Sequence, residues 1–159
     1  MTGSILVIDA NVLLRAVLGS RVSDLLERFA LTATFLASEV AFEEAREHMA
    51  AILKKRGVSS KALQPALEKL EALRAIVRPM ERAEYEQMRA AALVRIGRRD
   101  PDDWPVLACA LMVGCPIWTE DRDFFGTGVA TWTSASVEIF LAEMPDEGPQ
   151  DGEELSAPE

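Results

Sequence analysis

"LVIDANVLL" (residues 6–14) decides how the chain is read. Leu6, Val7 and Ile8 form the unbroken apolar run expected of a strand covered on both faces, and apolar residues resume at Val12, Leu13 and Leu14. Between the two runs stand Asp9 and Asn11. A carboxylate in apolar surroundings is costly unless a hydrogen-bond donor or a cation compensates it. The rest of the sequence has to supply that partner.

The chain has 159 residues, which fits one domain with a substantial core. Its composition is 49% apolar and 27% charged. That is globular rather than disordered. No apolar run approaches the roughly 18 residues that a membrane span requires. The N-terminus has neither a basic stretch nor a long apolar one before Asp9, so no secretory signal is read and a cytoplasmic location is expected. Cys109 and Cys115, with His48 the single histidine, do not make a zinc pattern and are read as free or buried thiols. The net charge of −9 disfavours a nucleic-acid partner at first sight. Residues 143–159, however, hold seven acids and no Lys or Arg, which leaves the body at −2 and able to present basic patches.

Short apolar runs alternate with longer amphipathic ones, the pattern of βα units around a mainly parallel sheet. Strands are expected at 4–9, 32–37, 75–80, 116–120 and 128–132. Helices are expected at 10–19, 22–31, 39–57, 59–73, 81–97, 104–114 and 134–144. Ser38 is a candidate N-cap, and Pro65 marks either a kink or a later helix start. The domain is placed at residues 1–144, and 145–159 reads as an acidic disordered tail.

Ligands of a parallel α/β sheet bind at the carboxyl ends of the strands, where the strand order reverses. Acids from four distant segments are expected in that layer: Asp9 after the first strand, Glu43 and Glu44 in the helix after the second, Asp103 at the start of a helix, and Asp121 after the fourth strand. Taken singly, each has a plain structural alternative. Asp103 fits a helix cap, Glu43 and Glu44 fit solvated helix surface, and Asp121 and Asp123 fit turns. Taken together they repel one another, and a hard divalent cation such as Mg²⁺ is the simplest compensation.

Four segments carry a family resemblance: "VIDANVLL", "SEVAFEEA", "RDPDDWPVLACAL" and "WTEDRDFF". In that order and spacing the chain resembles PIN domains, the metal-dependent nucleases of VapC-type toxins and their relatives, from about residue 4 to 140. The resemblance implies a three-layer α/β/α sandwich with a central mainly parallel sheet. It implies Asp9, Glu44, Asp103 and Asp121 as catalytic acids, with Asp9, Asp103, Asp121 and Asp123 holding Mg²⁺ or Mn²⁺. Asn11, Glu43, Asp100 and Thr119 are supporting residues on this reading, Glu43 being the alternative to Glu44 and Asp102 a less certain neighbour. Trp104 and Pro105 depart from the smaller residues frequent after the third acid.

No Ser, Cys or Thr is paired with a histidine, so the nucleophile expected is water activated by one or two metal ions, cutting an RNA phosphodiester bond. Arg98, Arg99, Lys54 and Lys55, with Arg56 and Arg95 nearby, are candidates for flanking phosphates, or else form solvated charge runs. Trp118 and Trp132 read as core, and Trp104 is left open between core and base stacking. The resemblance further implies an antitoxin partner and a homodimer. Three rivals remain. A haloacid-dehalogenase-like phosphatase is disfavoured because Asn11 stands where that family needs a second acid. A receiver-like Mg²⁺-binding signalling domain lacks its adjacent acids and its lysine. A catalytically inactive PIN fold that binds RNA or protein stays open.

Overall fold

A computed structural model describes residues 3–143. The tail at 145–159, and the last residue of the expected domain, lie outside the described residues. The expected alternation is observed: β1 (Ser4–Ile8), α1 (Ala10–Leu18), α2 (Arg21–Phe29), β2 (Ala33–Ser38), α3 (Glu39–Lys55), α4 (Leu63–Ala72), β3 (Val77–Met80), α5 (Arg82–Tyr85), α6 (Arg89–Ile96), α7 (Trp104–Val113), β4 (Ile117–Trp118), β5 (Thr131–Trp132) and α8 (Val137–Ala142). The five strands form one sheet in the order β3-β2-β1-β4-β5, and every pairing is parallel.

Side-chain alternation divides the core into two layers. Leu6, Ile8, Phe35, Ala37, Val77 and Trp118 face one side, where the helices α1, α2, α3, α4 and α8 contribute their buried residues. Val7, Leu36, Met80 and Ile117 face the other, against Tyr85, Ala92, Ile96 and the α7 residues Val106–Ala110. Covering both faces of the sheet explains why β1 and β2 read as continuous apolar runs. The expected three-layer α/β/α sandwich is the architecture observed.

Local chemistry sets the helix ends. Ser38 accepts a hydrogen bond from the Ala41 N–H (3.0 Å), capping α3 as its position suggested. Pro65 falls in the first turn of α4, where its missing N–H costs nothing, so the helix starts at Leu63 after a 3-10 turn at Ser60–Ala62. Gly114 ends α7 in a left-handed backbone conformation, which glycine adopts without a Cβ penalty. The single helix expected at 81–97 is a correction: α5 and α6 are separated by a 3-10 turn at Glu86–Met88. The break lets Tyr85 turn inward, where it is 1% exposed and packs against Trp104 with ring centroids 5.7 Å apart.

Leu107 has no exposed surface and sits in the α7 layer, whereas Leu31 is fully exposed. Leu107→Ala is expected to destabilise the chain by about 2–5 kcal/mol through the cavity it leaves. Leu31→Ala is expected to change stability by less than about 0.5 kcal/mol. Urea unfolding monitored by circular dichroism checks both, with a lowered midpoint and an unchanged slope expected for the first.

Candidate metal centre

The strand order reverses at β1, since β2 leads off one side of it and β4 lies on the other. The crevice at the carboxyl ends of β1 and β4 is therefore the place where an α/β sheet binds ligands. Asp9 follows β1, and Asp121 lies three residues beyond the end of β4. Registered pairing of Val7 with Ile117 and Ile8 with Trp118 puts Asp9 level with Thr119, two residues before Asp121. The Asp9 N–H extends this ladder by donating to the Trp118 carbonyl (3.1 Å).

Asp9 is 4% exposed, and the chain itself supplies the donors that its burial requires. Its Oδ1 accepts from the Ala10 N–H (2.8 Å), while Oδ2 accepts from Asn11 Nδ2 (2.8 Å) and Thr119 Oγ1 (2.7 Å). Asn11 continues the network: its Nδ2 reaches Thr119 Oγ1 (3.3 Å) and its Oδ1 accepts from the Glu120 N–H (3.2 Å). Thr119 Oγ1 also accepts from the Asp121 N–H (2.9 Å). Asn11 and Thr119 thus stitch the end of β1 to the end of β4. Burial raises the Asp9 pKa above the usual carboxylate range, the hydrogen bonds from Thr119 and Ala10 oppose that rise, and the charge of Asp121 adds to it.

Beside Asp9 lies a denser group. Asp100, Asp103, Asp121 and Asp123 each offer a carboxylate oxygen within 4.8 Å of the other three. Turns position them: Asp100 accepts from the Asp102 N–H (3.1 Å) and Asp121 from the Asp123 N–H (2.9 Å), each opening a 3-10 turn. Asp103 precedes α7 but makes no side-chain cap hydrogen bond, so the helix-cap alternative is not what its carboxylate does. Its Oδ2 is buried without a hydrogen-bond partner. The Asp103 pKa is pushed up to about 8 by burial, then by the charges of Asp9, Asp100 and Asp121.

The structure separates the two helix glutamates. Glu44 is half-buried, and its pKa is raised by burial and by the nearby charges of Asp9, Asp100 and Asp102, while His48 one turn along α3 lowers it. Glu43 is exposed and borders a groove with Arg46, Glu71 and Arg74 on the α4 side. Helical geometry is the reason: consecutive residues differ by about 100° around the axis, so one of the pair must turn away.

The expected phosphate contacts divide as well. Lys54 and Lys55 are exposed at the far end of α3, about three helical turns from Glu44. Arg95, Arg98 and Arg99 are all exposed, but Arg95 and Arg99 donate to main-chain carbonyls of the loop after Asp121. Trp104 is half-buried under Tyr85, with the guanidinium groups of Arg82 and Arg89 over its ring at 5.7 and 5.1 Å. Trp118 is fully buried, and Trp132 is half-buried against Phe140. Cys109 and Cys115 are free thiols whose pKa values burial pushes up to about 12 and about 11, so they stay protonated.

An all-parallel α/β sandwich with an acidic crevice at its switch point is the class that fold and site define. The chain belongs to the PIN-domain family, whose profile matches residues 7–142. Among solved structures it is similar to VapBC2 from Rickettsia felis bound to a DNA fragment from its promoter, at TM-score 0.57 and 16% identity over 81% of this chain and 98% of that one. It is also similar to VapBC-1 from nontypeable Haemophilus influenzae (TM-score 0.54, 16% identity, 83% and 99% covered) and to a toxin-antitoxin complex from Klebsiella pneumoniae (0.52, 17%, 81% and 97%). At these identities the likeness is one of fold. No relative among curated proteins reaches significant similarity. The observed strand order also differs from the 2-1-3-4-5 order of receiver-like folds, which removes that rival.

The raised pKa of Asp103 has a consequence for stability. Between pH 3.8, where an ordinary aspartate ionises, and about 8, the folded chain binds a proton at Asp103 that the unfolded chain has released. Stability from this group is therefore full at low pH and lost as pH rises toward 8. In chelator-treated protein, Asp103→Asn is expected to melt close to the unsubstituted chain near pH 4.5 and clearly above it at pH 8. Differential scanning calorimetry across that range checks the divergence.

Proposed function

We propose that this chain is a metal-dependent endoribonuclease, the toxin component of a toxin-antitoxin pair, working in the cytoplasm where its substrate is found. The observation that carries the reading is the four-aspartate group with the buried, unpartnered Asp103 Oδ2. Carboxylate oxygens packed this closely suit a hard divalent cation, Mg²⁺ or Mn²⁺, which takes oxygen ligands and keeps waters. Asp103, Asp121 and Asp123 would hold it, joined by Asp100. Asp9 would act from the neighbouring position, with Asn11 and Thr119 fixing its rotamer.

When bound, such a cation supplies a water of lowered pKa and neutralises charge on the phosphate under attack. The chain's own part is to orient the reacting groups. Glu44, half-buried and beside Asp9, would accept the proton released by the attacking water. One P–O bond to water forms as one P–O ester bond breaks, and the leaving oxygen takes up a proton. Arg98, which is exposed, would meet a flanking phosphate, and unpaired RNA is the substrate class expected because its backbone can enter a cleft. The partner reading rests on the similar structures, which are toxin-antitoxin complexes. A homodimer is proposed with it, to be checked by sedimentation.

Purified chain incubated with single-stranded RNA and Mn²⁺ is expected to cut it, and chelator to stop it. Asp9→Asn, Asp103→Asn and Glu44→Gln are each expected to lower the cleavage rate at least about a hundredfold, roughly 2.7 kcal/mol of transition-state stabilisation. RNA retained in a filter assay but never cut, with Mn²⁺ present, would instead establish a binding module without turnover.

A further inference from the structure

We propose that Arg95 and Arg99 are positioning residues that clamp the Asp121–Asp123 loop against the Asp100–Asp103 segment, setting cation affinity without touching the cation or RNA. The inference rests on the metal-site reading above. The sequence offered both arginines as phosphate contacts, but each, though exposed, spends guanidinium donors on main-chain carbonyls of its own chain. Arg95 Nη1 donates to the Thr127 carbonyl (2.8 Å). Arg99 Nη1 donates to the Phe125 carbonyl and to that of Asp123 (3.3 Å).

These contacts join the two halves of the acidic group. Arg99 immediately precedes Asp100 in the chain, and its side chain grips the main chain of Asp123. Four carboxylates cannot stay within 4.8 Å of one another by mutual attraction, so a fixed scaffold has to hold them. The loop is built to receive the clamp. Phe124 and Thr127 are buried, and Thr127 Oγ1 donates to the Phe124 carbonyl (2.8 Å), which anchors the loop to the core. Gly126 and Gly128 both have positive φ, in the left-handed region open to glycine. Those turns accompany carbonyls 125 and 127 aimed at the arginines. A Cβ on Gly128 would come within 2.8 Å of Arg95 Nη1 and displace the guanidinium tip, and the φ of +84° strains any side chain placed there.

Supporting partners of metal sites typically alter affinity about 10–100-fold when lost. The test is equilibrium Mn²⁺ binding by the full chain, with thermal melts in chelator confirming that each variant is folded. Arg95→Met/Arg99→Met is expected to raise the Mn²⁺ Kd about tenfold or more. Gly128→Ala, which removes no charge, is expected to shift it in the same direction, and Arg95→Lys/Arg99→Lys to restore part of the loss. Lys54→Met/Lys55→Met is expected to change nothing.

Should the Met pair fail to fold, Gly128→Ala and the Lys pair carry the test: an unchanged Kd in both overturns the clamp. An unchanged Mn²⁺ Kd in the Met pair, with weaker RNA binding in chelator and a flatter salt dependence, identifies phosphate contacts and overturns it as well. Asp121→Asn separates the two readings. If it weakens Mn²⁺ binding and the arginine and glycine variants do not, the clamp alone fails. If Asp121→Asn leaves the Kd unchanged, the metal-site reading fails and the clamp with it.

Discussion

The parallel pairing of β1 with β4 is the contact on which the acidic crevice depends. Only two residue pairs make it, Val7 with Ile117 and Ile8 with Trp118, continued by the bond from the Asp9 N–H to the Trp118 carbonyl. A slip of one residue in this register would turn Trp118 and Ile117 to the wrong layers. The same slip would carry Thr119 away from Asp9. Core packing and site geometry are therefore fixed by one register, and the strand can be short because both of its faces are fully buried.

Asp9 shows how a buried carboxylate is tolerated before any ion is considered. Three donors from its own chain surround it, so the opening question of the sequence has a local answer as well as an electrostatic one. Asp103 has no such answer. Its Oδ2 is buried and orphaned, its pKa is pushed up to about 8, and its neighbours are acids. The contrast assigns the two residues different tasks on the proposed reading: Asp9 is preorganised by protein, whereas Asp103 is left for an external partner to complete.

Much of this was legible in the sequence because the physics behind it is local. Buried parallel strands read as apolar runs, Ser38 read as a cap, and an aspartate directly after a strand read as a buried carboxylate in need of donors. Less legible was whatever depends on rotation or on distant partners. Glu43 and Glu44 are equivalent on paper and face different surroundings once the helix is placed. The break between α5 and α6 follows from Tyr85 packing on Trp104, a tertiary contact that overrides a continuous helical period. Arg95 and Arg99 looked like free cations because nothing in their own segment shows that carbonyls far along the chain will take their donors. Gly126 and Gly128 were the available signal: two glycines close together after an acidic turn mark backbone held at close range.

The charge balance gives the same arrangement a functional direction. Arg28, Arg74, Arg78 and Arg82 are engaged in ion pairs, and Arg21 and Arg95 on carbonyls. Arg89, Arg98 and Arg122, by contrast, form no ion pair among the described residues. In the sequence Arg98 stands two residues before Asp100 and Arg122 between Asp121 and Asp123, and Arg89 lies over the ring of Trp104, the residue after Asp103. A polyanion drawn to those arginines meets the carboxylates at the centre and is repelled unless a cation lies between. On the proposed reading, the cation and the flanking arginines act on the same strand. The acids then select for a metal-loaded site, because without the ion the crevice rejects the substrate its rim attracts.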